Sequence, residues 1–161
     1  MSNSRALLVA AVLTCARFAL AENAPPGSAP TADEIKRVMD YQEHGKAHGP
    51  VLLDLLPCLK VDTAKASATA YDCVEPVKGP VKKGTTVSAW MSWLCPRGGV
   101  YEDLVVQFVH EGQVRQTIDL KVEGLARVRM FRSHQLGKSG QWQIRVTRGD
   151  KELATAAVTV E

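Results

Sequence analysis

The sequence predicts a mainly β chain: an immunoglobulin-like antiparallel β-sandwich of seven or eight strands, preceded by one short helix. Three observations predict it. After Gly49-Pro50, apolar and polar side chains alternate with a period of two, the pattern of strands that bury one face. Short Gly-containing turns divide that alternation at the spacing of a sandwich. A helical period appears only once, before Pro50. Small barrels share the same alternation, and the pattern alone does not separate the two architectures.

The chain opens MSNSRALLVAAVLTCARFALAENAPP. Arg5 gives a positive start, Ala6 to Ala16 carries no charge, and Ala19-Leu20-Ala21 is a small-x-small site. That order reads as a secretory signal peptide over residues 1–21. Its apolar run is about half the ~20 residues that a spanning helix needs, so no membrane span is expected once it is removed. Lipidation at Cys15 is the rival reading. It suffers from Leu13-Thr14 standing where a lipidation site wants small residues.

Cleavage after Ala21 would leave 140 residues, the size of one domain. Arg5 and Arg17 leave with the leader, so 18 basic residues face 17 acidic ones, a net of +1 against +3 for the whole chain. Such a balance does not ask for nucleic acid, and no cofactor is assigned.

Residues 22–30, ENAPPGSAP, hold three prolines and no periodicity, and read as a disordered lead-in. Thr31 and Glu34 then form a capping box. Ile35, Val38, Met39 and Gln42 recur at helical spacing, predicting an amphipathic helix over 31–45 that stops at Gly45. Its apolar stripe is expected to face the sheet or a partner.

The sandwich is expected over 51–161. Val87, Ala89, Met91 and Trp93 alternate with Ser88, Trp90 and Ser92. Leu104, Val106 and Phe108 form a second apolar row. Val114, Gln116, Ile118, Leu120 and Val122 oppose Arg115, Thr117, Asp119 and Lys121 across one strand. Glu111-Gly112 joins these last two as a hairpin. Trp142, Ile144 and Val146 make a further row, and Arg148 to Lys151 turns the chain into Leu153–Val160.

An exported chain can hold disulfides. Beyond the leader lie Cys58, Cys73 and Cys95, so at most one intramolecular bond forms. An antiparallel register centred near Lys65-Ala66 sets 58 opposite 73, favouring Cys58–Cys73. Cys95, beside Trp93 and Leu94, reads as a buried hydrophobe.

Several motifs invite chemistry and fail on physical grounds. Gly137-Lys138-Ser139 has the letters of a phosphate loop, but Arg132 stands where its first glycine belongs, and a strand follows instead of a helix. No nucleotide is expected. Arg148-Gly149-Asp150 suits a hairpin turn better than recognition by another protein. His44 and His48 are four apart, yet Gly45 and Gly49-Pro50 spoil a helical metal pair, so no metal site is assigned. His110 at a hairpin tip and His134 in a polar stretch read as surface residues. Gly-x-Ser-x-Gly and His-Glu-x-x-His do not occur, and no catalytic residue is assigned.

The positive feature is charge asymmetry. From Arg115 to Lys151 nine Lys or Arg face three acids, whereas residues 22–62 carry four bases and seven acids. Were the Arg127–Phe131 and Arg145 strands neighbours, Arg127, Arg129, Arg132 and Arg145 would form a basic patch for an acidic envelope protein or anionic envelope polymer. The competing reading is a merely solvated face, or one that pairs with the acidic first third of the same chain. Trp90, opposite its strand's apolar row, is the candidate exposed aromatic, and with it comes the alternative of a carbohydrate-binding module. A small hydrolase or metal protein is a third reading, weakened by the missing motifs.

Two stretches, PVLLDLLPCLKVD…YDCVEPVKGPVKKGTTVSAW and SGQWQIRVTRGDKELATAAVTV, resemble a family of bacterial secreted or membrane-anchored domains of unknown function. The resemblance runs from about Val51 to Val160 and rests on Gly140, Trp142, Val146 and Gly149, the Gly-x-Trp-x-x-x-Val strand and following turn. It implies a small β-sandwich in the periplasm or outside the cell, and brings no catalytic residues. The expectation is an exported, non-enzymatic binding or accessory module of the cell envelope.

Overall fold

Alternation in the sequence becomes two four-stranded antiparallel sheets in the computed structural model, which describes residues 31–44, 49–96, 98–124 and 126–161. The expected signal peptide (1–21), lead-in (22–30), Gly45 and His48 lie outside the described residues. The elements are α1 (Ala32–His44), β1 (Val51–Val61), β2 (Cys73–Pro76), β3 (Thr86–Cys95), β4 (Val100–His110), β5 (Gln113–Glu123), β6 (Ala126–Gln135), β7 (Gly140–Arg148) and β8 (Lys151–Val160). One sheet runs β2-β1-β3-β6 and the other β5-β4-β7-β8. The chain crosses between sheets after β3, after β5 and after β6, the Greek-key connectivity of an immunoglobulin-like sandwich.

The capping box forms as its residue types dictate. The Glu34 amide donates to Thr31 Oγ1 at 3.2 Å, and the Thr31 amide donates to Glu34 Oε2 at 2.7 Å. The apolar stripe of α1 is left largely uncovered, with Ile35 47% and Met39 58% exposed.

Each sheet turns its apolar row inward. Val87, Ala89, Met91 and Trp93 of β3 meet Leu104, Val106 and Phe108 of β4, Leu120 and Val122 of β5, and Ile144 and Val146 of β7. Fully burying such side chains contributes roughly 1.5–3 kcal/mol each, which is what holds the sheets together. Trp93 Nε1 sits inside without a hydrogen-bond partner, an opposing cost of about 1–3 kcal/mol. On β5 the apolar row fades outward: Leu120 and Val122 are buried, but Val114 is 47% exposed. The strand lies at a sheet edge, and its first half carries no cover.

The expected disulfide joins Cys58 and Cys73, with Cα atoms 5.9 Å apart. The expected register does not hold. Val61 pairs with Cys73 and Cys58 with Pro76, separated by two irregularities. Cys95 is buried and free, and burial pushes its thiol above the usual range, which suits a packing role.

Two histidines read as surface residues are not. His110 is 9% exposed, and His134 lies on β6 opposite Val87, not in a loop. Both rings pack on Trp142, at 4.9 and 5.8 Å between centroids. The Gly137-Lys138-Ser139 stretch is the connection into β7, where the Lys138 carbonyl accepts Trp142 Nε1–H at 2.8 Å. At the β7–β8 turn Gly149 takes φ +54°, and Arg148 is engaged within the fold by Asp103 at 2.6 Å.

Candidate functional site

Trp90 is the residue from which the site is built, though not as expected. It is 1% exposed and presents no ring for stacking a ligand. The physical reason is a second, smaller core on the outer face of the β2-β1-β3-β6 sheet. There Trp90 packs with the Cys58–Cys73 disulfide, flanked by Leu56, Val61 and Phe131. Its Nε1–H donates to the Tyr71 carbonyl at 2.6 Å. An indole on the polar side of its strand therefore has a cover, the loop over residues 62–72.

That loop is knitted around Asp62. The Tyr71 amide donates to the Asp62 carbonyl at 2.7 Å, and the Asp62 amide to the Asp72 carbonyl at 2.9 Å. The Asp62 carboxylate accepts from Thr69 Oγ1 at 2.7 Å and from the Ala64 amide at 2.9 Å. Hydrogen bonds from Ser67, Thr69 and Ala64 hold its carboxyl below the ordinary carboxylate range. At the end of the loop Tyr71 adopts φ +64°, a left-handed backbone that is unusual for a tyrosine. It is retained because the carbonyl points in toward Trp90. The residue remains 41% exposed and borders the open cleft beside β6.

Beside it β6 contributes two of the expected basic residues. Arg129 Nη1 lies 3.1 Å from Asp72 Oδ1, with side chains 29% and 14% exposed. Asp72 Oδ1 makes no aligned hydrogen bond, so the contact is an ion pair by distance only. Arg127, exposed, donates through Nε to Ser92 Oγ at 3.3 Å. Two shallow clefts follow. One, of about 310 Å³, is lined by Ala70, Tyr71, Arg127 and Arg129. The other, of about 390 Å³, runs on along Tyr71, Arg129, Met130, Phe131, Arg132 and Ser133.

The single basic patch expected from the sequence is divided. β6 and β7 follow one another in the chain but belong to different sheets. Arg127 and Arg129 share the outer face with Trp90 and Ser92. Arg132 falls on the alternate side of β6, opposite Ala89, and its guanidinium curls back to the Phe131 carbonyl at 2.9 Å. Arg145 stands on the outer face of the other sheet, where Nε and Nη2 hold Gln107 Oε1 at 3.0 and 2.7 Å. The structure thus brings together Arg127 and Arg129, adds Arg132 at the strand edge, and leaves Arg145 and Trp90 out.

Tyr71 and Asp72 were not singled out in the sequence. Their signal was present in "AYDC": an aromatic and an acid placed directly before a half-cystine, at the end of a closed loop. Among the described residues no three His, Cys, Asp or Glu side chains gather to hold a metal ion. No helix among them is long and apolar enough to cross a membrane. What the cleft can do chemically is accept an anion, through guanidinium donors beside a phenol. No protein-family model matches this chain, and no curated protein aligns with it.

Proposed function

We propose that this protein is an exported, non-enzymatic binding module of the cell envelope that engages an anionic partner through the cleft of Tyr71, Arg127 and Arg129. The observation that carries the reading is the convergence of two guanidinium groups and an exposed phenol in a cleft whose walls are fixed by a disulfide-closed loop. Rigid walls matter because a preformed site loses little ordering entropy on binding. The disulfide and the leader-like first 21 residues support a periplasmic or secreted setting. The resemblance to bacterial secreted domains points the same way. The carbohydrate alternative rested on an exposed Trp90, and its burial removes that support.

Binding of poly-glutamate and of dextran sulfate, followed by fluorescence anisotropy, tests the reading. Between about 50 mM and about 500 mM NaCl the affinity should fall at least about tenfold, as screening of exposed charges requires. Arg127→Glu should weaken binding by a similar factor, about 1.4 kcal/mol, with thermal stability kept. Arg145→Ala, on the far sheet, should leave it unchanged. Equal loss from both variants would sink the assignment of this cleft.

A further inference from the structure

The edge of β6 offers more than charge. In an antiparallel pair every second residue turns its backbone N–H and C=O toward the partner strand, and the residues between turn theirs away. The Leu136 amide donates to the Thr85 carbonyl, which sets the even-numbered residues of β6 toward β3. The amides and carbonyls of Arg127, Arg129, Phe131 and Ser133 therefore point off the open side of the sheet. The Phe131 carbonyl shows this directly, since it accepts from the Arg132 side chain.

The edges of the sandwich are not equivalent. At β8 the segment beyond β2 adds cover: Val81 bridges Val160, and the Lys83 amide donates to the Glu161 carbonyl. At the opposite side β5 and β6 are both open among the described residues. β5 alternates Arg115, Asp119, Lys121 and Glu123, so its charges neutralise one another, with Lys121 paired to Glu123 and Glu102. β6 carries Arg127, Arg129 and Arg132 and no acid.

Deepening the anion-binding reading, on which it rests, we propose that β6 accepts an extended acidic segment of a partner protein as an added fifth strand of its sheet. Strand addition draws affinity from main-chain hydrogen bonds and specificity from pockets for alternate side chains. Both are in place: the outward-pointing backbone groups of four residues, open to another strand among the described residues save where Arg132 holds the Phe131 carbonyl, and two clefts in succession along the strand. The arginines select acid in the incoming strand. They also disfavour a second copy of this chain, because pairing β6 with itself gathers the arginines of two strands along one seam with no acid among them. Arg132 shields the Phe131 carbonyl until the partner strand displaces it.

The test is residue-resolved amide hydrogen exchange on the full chain, with a peptide of about eight residues, a strand's length, alternating Glu and Val. At saturation the amides of Arg127, Arg129, Phe131 and Ser133 should slow at least tenfold, with no change along β5. A peptide of the same charge with proline at alternate positions lacks those N–H donors and cannot pair as a regular strand, and should give no protection. If poly-glutamate binds but the Glu-Val peptide protects none of the four amides, strand addition fails while the anionic cleft stands. If neither ligand binds, both fall. Protection confined to β5 would overturn the choice of edge.

Discussion

His134 shows how a single side chain can escape a composition-based reading. It sits in FRSHQLGKSG, a stretch polar enough to be taken for a loop, yet the β6 register places it opposite Val87. Its ring lies 5.1 Å from Phe108 and 5.8 Å from Trp142, and burial pushes its pKa below the ordinary 6.5. The folded state therefore holds the neutral imidazole in preference to the charged one. Below about pH 6.5 the unfolded chain takes up a proton that the folded chain resists, so stability falls as pH falls. The loss is complete once pH has dropped through the lowered folded value. Urea midpoints measured between pH 7.5 and pH 5 should decline, and His134→Gln, which does not titrate, should flatten the decline. A midpoint that rises on acidification would contradict the burial argument. His110 belongs to the same ring cluster, with Nδ1 buried and unpartnered and Nε2 2.8 Å from the Ser139 carbonyl.

At the scale of elements, the unit of interest is the disulfide-closed loop over β3. The pair Cys58–Cys73 could be named from the sequence because two strand-like flanks bracketed a turn. The geometry behind that choice was too regular. Irregularities between Cys58 and Val61 shift the β1–β2 register, and the sulfurs meet across Cys58↔Pro76 and Val61↔Cys73 instead of directly opposite. No periodicity announces such a shift, because it depends on how the loop packs over Trp90. Closing a loop with a sequence separation of 15 is expected to contribute about 3 kcal/mol. Cys58→Ser with Cys73→Ser should accordingly lower unfolding free energy by about that amount. The loss should be local in its dynamics. The Tyr71 amide, bonded to the Asp62 carbonyl, should exchange faster at once, while Val106 and Ile144 in the main core keep protection that tracks global stability. Unchanged exchange at Tyr71 would mean that Trp90 and Asp62 hold the loop without the bond.

For the whole molecule, the sandwich was legible because two sheets closing on one core impose the same alternation on strand after strand, and that alternation survives in the sequence. The division of charge between sheets was not. Consecutive strands β6 and β7 look like neighbours in sequence, and only the crossover between them sends Arg129 to one outer face and Arg145 to the other. Helix α1 was equally legible as an element, from its capping box and spacing, but not in its placement: Ile35 and Met39 stand half exposed and the main core is made without them. Whether removing a segment matters depends on the burial and hydrogen bonding of what it touches, not on its position in the chain. The strands from Val51 to Val160 close their core among themselves, and Gly49-Pro50 is buried with them. A fragment covering residues 45–161 should therefore unfold cooperatively, with a free energy within about 1 kcal/mol of the full chain, the scale of an ordinary single substitution. It should also bind poly-glutamate as the full chain does, since Tyr71, Arg127 and Arg129 lie wholly inside it. Loss of cooperative unfolding in that fragment would show that α1 is part of the folding unit and that its apolar stripe has a seat on the sandwich.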